Sequence, residues 1–269
     1  MTHTPPHGFA SVDTQHNPSQ WVTVLDQLTA EPLYAHYKQR LRAHLHPGPG
    51  HLLLDVGAGT GDAARTLQEE HGARVVGIDR SLTMAGECQR RGLDRVVAAD
   101  AHHLPFRDAA FDGAWADRVL QHLPDPAAAL QEMIRVVRPG GRLALADPDY
   151  DTQVLDITDQ HLARRVLRYR ADHLLRNGTL AHQHAGLMAA RAMSDITVEP
   201  HTLIVRDPRA ADNVMGLRTW AQHAAEHGHL TPADVDRFTT QLDAAVAGHR
   251  FLYSVTLFLT AGTVTGPGR

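Results

Sequence analysis

The residues with the most chemical content lie in one short stretch, Asp55-Val56-Gly57-Ala58-Gly59-Thr60-Gly61-Asp62. Three glycines alternate with small residues between two carboxylates. Glycine is needed where a backbone turns sharply or lies against a ligand, because a Cβ there would collide. The apolar run Leu52-Leu53-Leu54 reads as a buried strand, and the periodic segment Ala63 to Glu70 reads as a helix. The turn therefore sits at a strand-to-helix junction, where free N–H groups and nearby carboxylates make a polar cradle beside an apolar sheet. Asp79, Asp100, Asp117 and Asp147 fall at or just past further apolar runs. Ligands of open α/β sheets bind beyond the carboxyl ends of the strands, so this shared placement predicts one site rather than scattered surface charge.

Charge narrows what the turn can bind. The dinucleotide fingerprint is G-x-G-x-x-G, and Asp62 stands where its third glycine belongs. A carboxylate facing a pyrophosphate is repulsive, which makes a nicotinamide oxidoreductase the weakest reading. The phosphate loop is excluded because no Gly-Lys-Ser/Thr follows. Asp55, within the turn, favours a positively charged ligand. S-adenosylmethionine fits, since it carries a sulfonium, an ammonium and no phosphate.

The stretch Leu53 to Asp62 resembles motif I of the class I S-adenosylmethionine-dependent methyltransferases, and later landmarks follow in that family's order. Val75-Val76-Gly77-Ile78-Asp79 resembles the second strand, Val97-Ala98-Ala99-Asp100-Ala101 the third, Phe111-Asp112-Gly113-Ala114-Trp115-Ala116 the fourth, and Arg138-Pro139-Gly140-Gly141-Arg142-Leu143 the turn into the fifth. The segment Val119-Leu120-Gln121-His122-Leu123-Pro124-Asp125 is similar to the small-molecule branch, of ubiquinone and natural-product type. The resemblance implies a doubly wound, seven-stranded, mostly parallel α/β sheet with a Rossmann-like methyltransferase fold. It implies S-adenosylmethionine as cofactor, with S-adenosylhomocysteine as product. It also implies roles for matched positions. Gly57, Ala58, Gly59 and Gly61 approach the cofactor through backbone, and Asp55 lies under them. Asp79 accepts from the ribose hydroxyls, Arg80 and Met84 flank the adenine, Asp100 and Ala101 address its edge, and Arg118 either lines the donor pocket or forms a surface ion pair.

Around this core the chain reads as five segments: a flexible N-terminal arm over 1–17, N-terminal helices over 18–46, the cofactor-binding core over 47–150, a helical insertion over 151–195, and C-terminal strands with a further helical insertion over 196–269. Pro32 breaks the N-terminal helical stretch in two. Beyond Asp147 a long helix is expected over Thr152 to Asn177, then helical segments over Leu180 to Met193, Arg209 to Glu226 and Pro232 to Gly248, with strands over Ile196 to Val205 and Phe251 to Thr260. The extra helices read as a cap enclosing substrate, with a thicker outer layer or a homo-oligomer surface as the alternative.

Methyl transfer from a sulfonium is an in-line displacement of an already activated donor, so alignment dominates. A hydroxyl or ammonium nucleophile gains from a general base, and histidine titrates near ~6.5. His122, after the fourth strand, is the candidate base, or alternatively a substrate contact. Asp147 and Tyr150 can orient the acceptor, with Asp147 equally readable as a helix-capping or loop carboxylate, while Trp21, Tyr34 and Tyr37 are candidate substrate contacts or ordinary core. His223, His227 and His229 suggest a metal at first sight, but no carboxylate or cysteine joins them, so no metal is expected. Arg164, Arg165, Arg168 and Arg170 form a charged run, either a solvated face or a reception site for an anionic substrate.

Composition bounds the rest. The 269 residues carry a formal net charge of -4, one lysine (Lys38) and scattered arginines, without the basic stripe of a nucleic-acid binder. A single cysteine, Cys88, excludes an internal disulfide. No signal peptide or membrane span is read, and the cytoplasm is the expected location. Acceptor atom O, N or C stays open. A cyclisation, alone or coupled to methylation, and a non-catalytic cofactor-binding protein are the competing functions.

Overall fold

The computed structural model describes residues 8–30, 32–207 and 216–266. Its centre is a seven-stranded sheet of order β3-β2-β1-β4-β5-β7-β6. The strands are β1 (Leu52–Val56), β2 (Arg74–Asp79), β3 (Val96–Ala98), β4 (Phe111–Asp117), β5 (Val137–Leu155), β6 (Ser194–Val205) and β7 (Tyr253–Thr263). β3, β2, β1, β4 and β5 run parallel, and β7 lies antiparallel between β5 and β6. The chain leaves β1 toward β2 and β3, then returns to place β4 on β1's other side. That switch falls at the tips of β1 and β4, the place where such sheets bind ligands.

Alternation fixes which residues face which layer. On β1, Leu53 packs into one core, while Leu54 and Val56 pack into the other. Trp115 on β4 joins Leu53, and Ala114 and Ala116 join Leu54. Both faces are covered, so the central strands are apolar throughout. Leu53, Leu54 and Val56 are each fully buried, stabilising by about 1.5–3 kcal/mol apiece.

The helices are α1 (Ser19–Ala30), α2 (Pro32–Ala43), α3 (Asp62–His71), α4 (Leu82–Arg90), α5 (Pro126–Val136), α6 (Gln160–Tyr169), α7 (His184–Ala189), α8 (Leu217–Glu226) and α9 (Pro232–Ala247). Their starts are chemically marked. Ser81 accepts from Met84 N–H at the head of α4, and Asp125 from Ala128 N–H before Pro126 at the head of α5. A reciprocal Thr231–Asp234 capping box opens α9.

Three expectations change. The helix expected over Thr152 to Asn177 does not form as one piece. β5 continues to Leu155 because Val154 and Leu155 pair with Ser254 and Tyr253 of β7, and tertiary pairing overrides local preference. α6 follows and ends in a π-turn over Arg170–Leu174. Asp147 and Tyr150 thus lie within β5 rather than past it, and the core extends beyond the boundary expected at residue 150. The helical segment expected over Leu180 to Met193 shrinks to a 3-10 turn, Ala181–Gln183, and α7. The flexible arm expected over 1–17 is docked where it is described: Gly8–Thr14 forms a 3-10 segment, and Asp13 accepts from Ser81 Oγ (2.7 Å), Leu82 N (2.8 Å) and Thr83 N (3.2 Å). Residues 1–7, and Arg209 to Met215 of another expected helix, lie outside the described residues. Among the described residues no helix is long and apolar enough to cross a membrane.

Candidate active site

The glycine turn is built as its composition requires. Gly57 and Gly59 have φ of 75° and 55°, in the left-handed region that penalises a side chain. A Cβ on Gly57 would sit 2.5 Å from Val119 Cγ2, and one on Gly59 3.1 Å from Leu25 Cδ1. Gly57 N and Ala58 N both donate to Ile78 O at 2.8 Å, which pins the turn to β2. Gly61 is the N-cap of α3. Asp62 hydrogen-bonds with Thr60 and Arg65, so its charge is partly neutralised within the chain. The Cys88 thiol donates to Gly59 O at 3.0 Å, and burial pushes its pKa up to about 12, which keeps it unreactive.

Asp79 ties the turn to α4. Its two carboxylate oxygens accept from Gly59 N at 3.0 Å and Ser81 N at 2.9 Å. Burial raises its pKa, and those two N–H groups work against the rise. The orientation is fixed, and each oxygen keeps a lone pair for a hydroxyl donor. Asp100, past β3, accepts from His102 N at 2.9 Å and is half exposed. Ala101 and Met84 are buried, and Arg80 is at the surface.

Across the switch point the sheet carries more charge. Asp55 is buried on β1 between Gly77 and Trp115, and burial, then Asp117, raises its pKa well above 3.8. Asp117, at the tip of β4, accepts from Tyr37 Oη at 3.0 Å and lies 3.8 Å from Lys38 Nζ. Lys38 also acts on Asp55 and Asp62, and burial lowers its pKa. α2 thus seats its cation among three carboxylates at the cradle. Arg118 has φ of 58° and donates its N–H to Ala146 O at 2.6 Å; its guanidinium lies 5.1 Å from the Tyr34 ring centroid.

His122 ends the 3-10 turn Leu120–His122. Asn177 clamps that turn, donating from Nδ2 to Leu120 O (3.1 Å) and Leu123 O (2.8 Å) and from its backbone to Gln121 O (3.1 Å). Phe9 packs edge-on against Trp21 and lies 6.4 Å from the His122 ring. The structure therefore brings His122, Trp21, Tyr34, Tyr37 and Arg118 to the same end of the strands as the glycine turn. It removes Asp147 from open space: Asp147 is 1% exposed, with His184 Nε2 3.4 Å from its Oδ2. Tyr150 is partly buried and pairs with Arg170.

Sequence reasoning missed Lys38, the Asp147–His184 pair and the inward turn of Arg170. Lys38 alone carried a signal, as the single lysine. Two surface hollows, one around His51, Asp112 and Arg138 and one around Asp172, Arg176 and Gln183, touch neither the glycine turn nor Asp79. His223 stacks on His227 and hydrogen-bonds Tyr169; among the described residues no group of three or more His, Cys, Asp or Glu could hold a metal.

This geometry suits a cationic nucleoside. The turn holds glycines where a Cβ would be strained and crowded, a rigid carboxylate stands at the second strand, and the surrounding charge is acidic. A family model described as a methyltransferase domain matches residues 54–145. An uncharacterised 37.1 kDa protein in transposon TN4556 of Streptomyces fradiae is 37% identical over 250 residues, 91% of this chain and 71% of that one. The O-methyltransferase resE of Aspergillus sclerotiorum is 37% identical over 147 residues. The chain belongs to the class I S-adenosylmethionine-dependent methyltransferases. The match to resE covers 52% of this chain and 53% of that protein, so this methyltransferase spans about half the length of that named relative. In fold it is similar to phosphoethanolamine N-methyltransferase 2 of Haemonchus contortus, with a TM-score of 0.62 at 16% identity over 99% of this chain and 61% of that one.

Proposed function

We propose that this chain transfers the methyl group of S-adenosylmethionine to an oxygen, nitrogen or carbon nucleophile of a small metabolite, in the cytoplasm and in natural-product biosynthesis. The observation that carries the reading is Asp79: its carboxylate is fixed by Gly59 N and Ser81 N beside a turn that only glycine can make. Asp79 holds the ribose hydroxyls, and the Gly57–Gly61 backbone holds the amino-acid end. Asp55 supplies negative charge under it. Met84, Arg80, Asp100 and Ala101 frame the adenine. When bound, the cofactor supplies an electrophilic methyl on a positively charged sulfur. The protein's own task is alignment, exclusion of water and proton removal.

His122 is the base in this reading, because Asn177 holds its turn at the tip of β4. α1, α2 and the Gly8–Thr14 segment close the near side, and α6, α8 and α9 form the cap over the acceptor. Asp147 acts from inside the sheet, by fixing His184, rather than by touching the acceptor. The resemblance to O-methyltransferase resE supports oxygen as the acceptor atom. Calorimetry with S-adenosylhomocysteine, followed by a mass-spectrometric acceptor screen with methyl-labelled donor, tests the proposal. Binding with a mass gain of one methyl supports it. Binding with an isomerised acceptor of unchanged mass would establish a cyclase instead, and absence of binding would sink both.

A further inference from the structure

The chain carries 25 arginines. Ten of them, among the described residues, lie within 4.0 Å of a carboxylate oxygen. Two others stand at the acceptor end of the crevice. Arg118 and Arg170 form no ion pair with any described residue. They lie on aromatic rings instead. Arg118 Cζ is 5.1 Å from the Tyr34 centroid, and Arg170 Cζ is 4.0 Å from that of Trp220 and 4.7 Å from that of Tyr150. Among the described residues, Nε of each is sealed from solvent with no acceptor, and the only side-chain hydrogen bond either makes is Arg170 Nη2 to Tyr150 Oη at 3.2 Å.

The two groups belong to one cluster. Both act electrostatically on the Tyr34 hydroxyl, and Tyr150, which Arg170 covers, acts on Arg118 as well. Of the carboxylates nearby, Asp117 accepts from Tyr37 and lies near Lys38, and Asp147 is buried with His184 Nε2 3.4 Å away. Ring stacking satisfies the face of a guanidinium, but its five N–H donors lie in its plane and point past the ring edges. That planar fork matches a carboxylate or a phosphate. The backbone agrees. Arg118 is held at a φ that L-residues avoid, and Arg170 opens a π-turn; both irregularities concentrate at functional sites. Elsewhere in the arginine run, Arg165 pairs with Asp234 and Arg168 with Asp151 and Asp172. Arg170 instead stacks on Tyr150 and Trp220.

We infer that the acceptor carries an anionic group, a carboxylate or a phosphate, and that Arg118 and Arg170 hold it against the Tyr34, Tyr150 and Trp220 rings. This rests on the methyl-transfer reading of the crevice. It divides the site by charge, with the cationic donor at the acidic tips of β1 and β2 and the anionic end of the acceptor at the basic far side. The nucleophile then lies between them, toward His122.

The test is calorimetry of the S-adenosylhomocysteine-loaded protein with three probes of similar size: benzoate, phenyl phosphate and benzyl alcohol. One anion binds at least about tenfold more tightly than the alcohol, the scale of one charge-assisted hydrogen bond, and which anion wins separates carboxylate from phosphate. Arg118→Gln and Arg170→Gln each weaken that anion about tenfold and leave the alcohol unchanged. Arg170→Lys recovers part of the loss, since charge survives without the fork. Equal binding of all three probes, no binding of any, or an anion preference that survives both Gln variants overturns the inference; the wild-type comparison needs no variant to fold. The heat of S-adenosylhomocysteine binding, recorded first, reports separately. If that heat is absent the methyl-transfer reading fails, and the three probes are compared on the unloaded protein.

Discussion

The two halves of the crevice are assembled in opposite ways. In the proposed reading the donor half, at β1, β2 and β3, comes from short contiguous stretches: the turn Gly57–Gly61 bonded to Ile78, and Asp79 bonded to Gly59 and Ser81. The acceptor half, at β4 and β5, comes from distant ones. Tyr37 reaches Asp117 across 80 positions, and Arg170 packs on Trp220 of α8. The proposed donor half leans on backbone and on Asp55 and Asp79; the proposed acceptor half adds Arg118, Arg170 and their aromatic rings. A backbone cradle serves one cofactor regardless of what is methylated, while side chains can change with the acceptor and leave the sheet intact.

The largest expected effect lies where the halves meet. Replacing His122 by Ala lowers kcat by about 10²–10⁴, the range for a lost general base, and leaves the S-adenosylmethionine dissociation constant unchanged. Turnover kinetics beside calorimetry checks it. If affinity falls in step with kcat, His122 belongs to the donor half and the division blurs.

Gly57→Ala tests how rigidly the halves touch. The added Cβ meets Val119 Cγ2 at 2.5 Å while the backbone sits at φ 75°. Strain and overpacking together cost about 2–5 kcal/mol in denaturant unfolding. Val119→Ala in the same chain recovers the overpacking part and not the strain. Full recovery would mean that the turn relaxes freely, and no recovery that Val119 is not what limits it. Asp79→Ala comes next, with a loss of about 1.5–3 kcal/mol in cofactor binding. An unchanged calorimetric affinity would remove the ribose assignment.

These contrasts explain what could be read from the residues alone. The sheet, the switch point and the donor half rest on local signals: apolar runs ending in Asp, glycines at fixed offsets, Ser81 and Asp125 as caps. The acceptor half rests on pairing and burial that no short window holds. Thr152 to Leu155 looked helical because nothing nearby announces β7 as their partner, 100 positions on at Tyr253 and Gln153. His184 was one of 20 histidines until its burial against Asp147 set it apart. Arg170 read as one member of a charged run, and only the π-turn at the end of α6 directs it inward.

The smallest expected effect concerns Asp55, and it measures how far the donor half is strained for binding. The carboxylate is 3% exposed, and burial, reinforced by Asp117, holds its native pKa above the ordinary 3.8. A raised native value means that the folded state binds the proton more tightly than the unfolded one. Below the unfolded value both states are protonated and Asp55 costs nothing. As pH climbs from there through the native value, ionisation progressively destabilises the fold, and above it the cost is complete. Asn at this position never ionises. Asp55→Asn therefore raises the melting temperature, by on the order of 1 kcal/mol in stability, with a gain that grows with pH from about 4 and then levels. The same variant binds S-adenosylmethionine more weakly, because a negative charge beneath a cationic ligand is gone. Thermal melts across pH, with calorimetry on the same samples, check both parts. A gain that does not change with pH would show that Lys38, seated among Asp55, Asp62 and Asp117, already neutralises the carboxylate. The acidity of the donor half would then be balanced from within α2 rather than held ready for the cofactor.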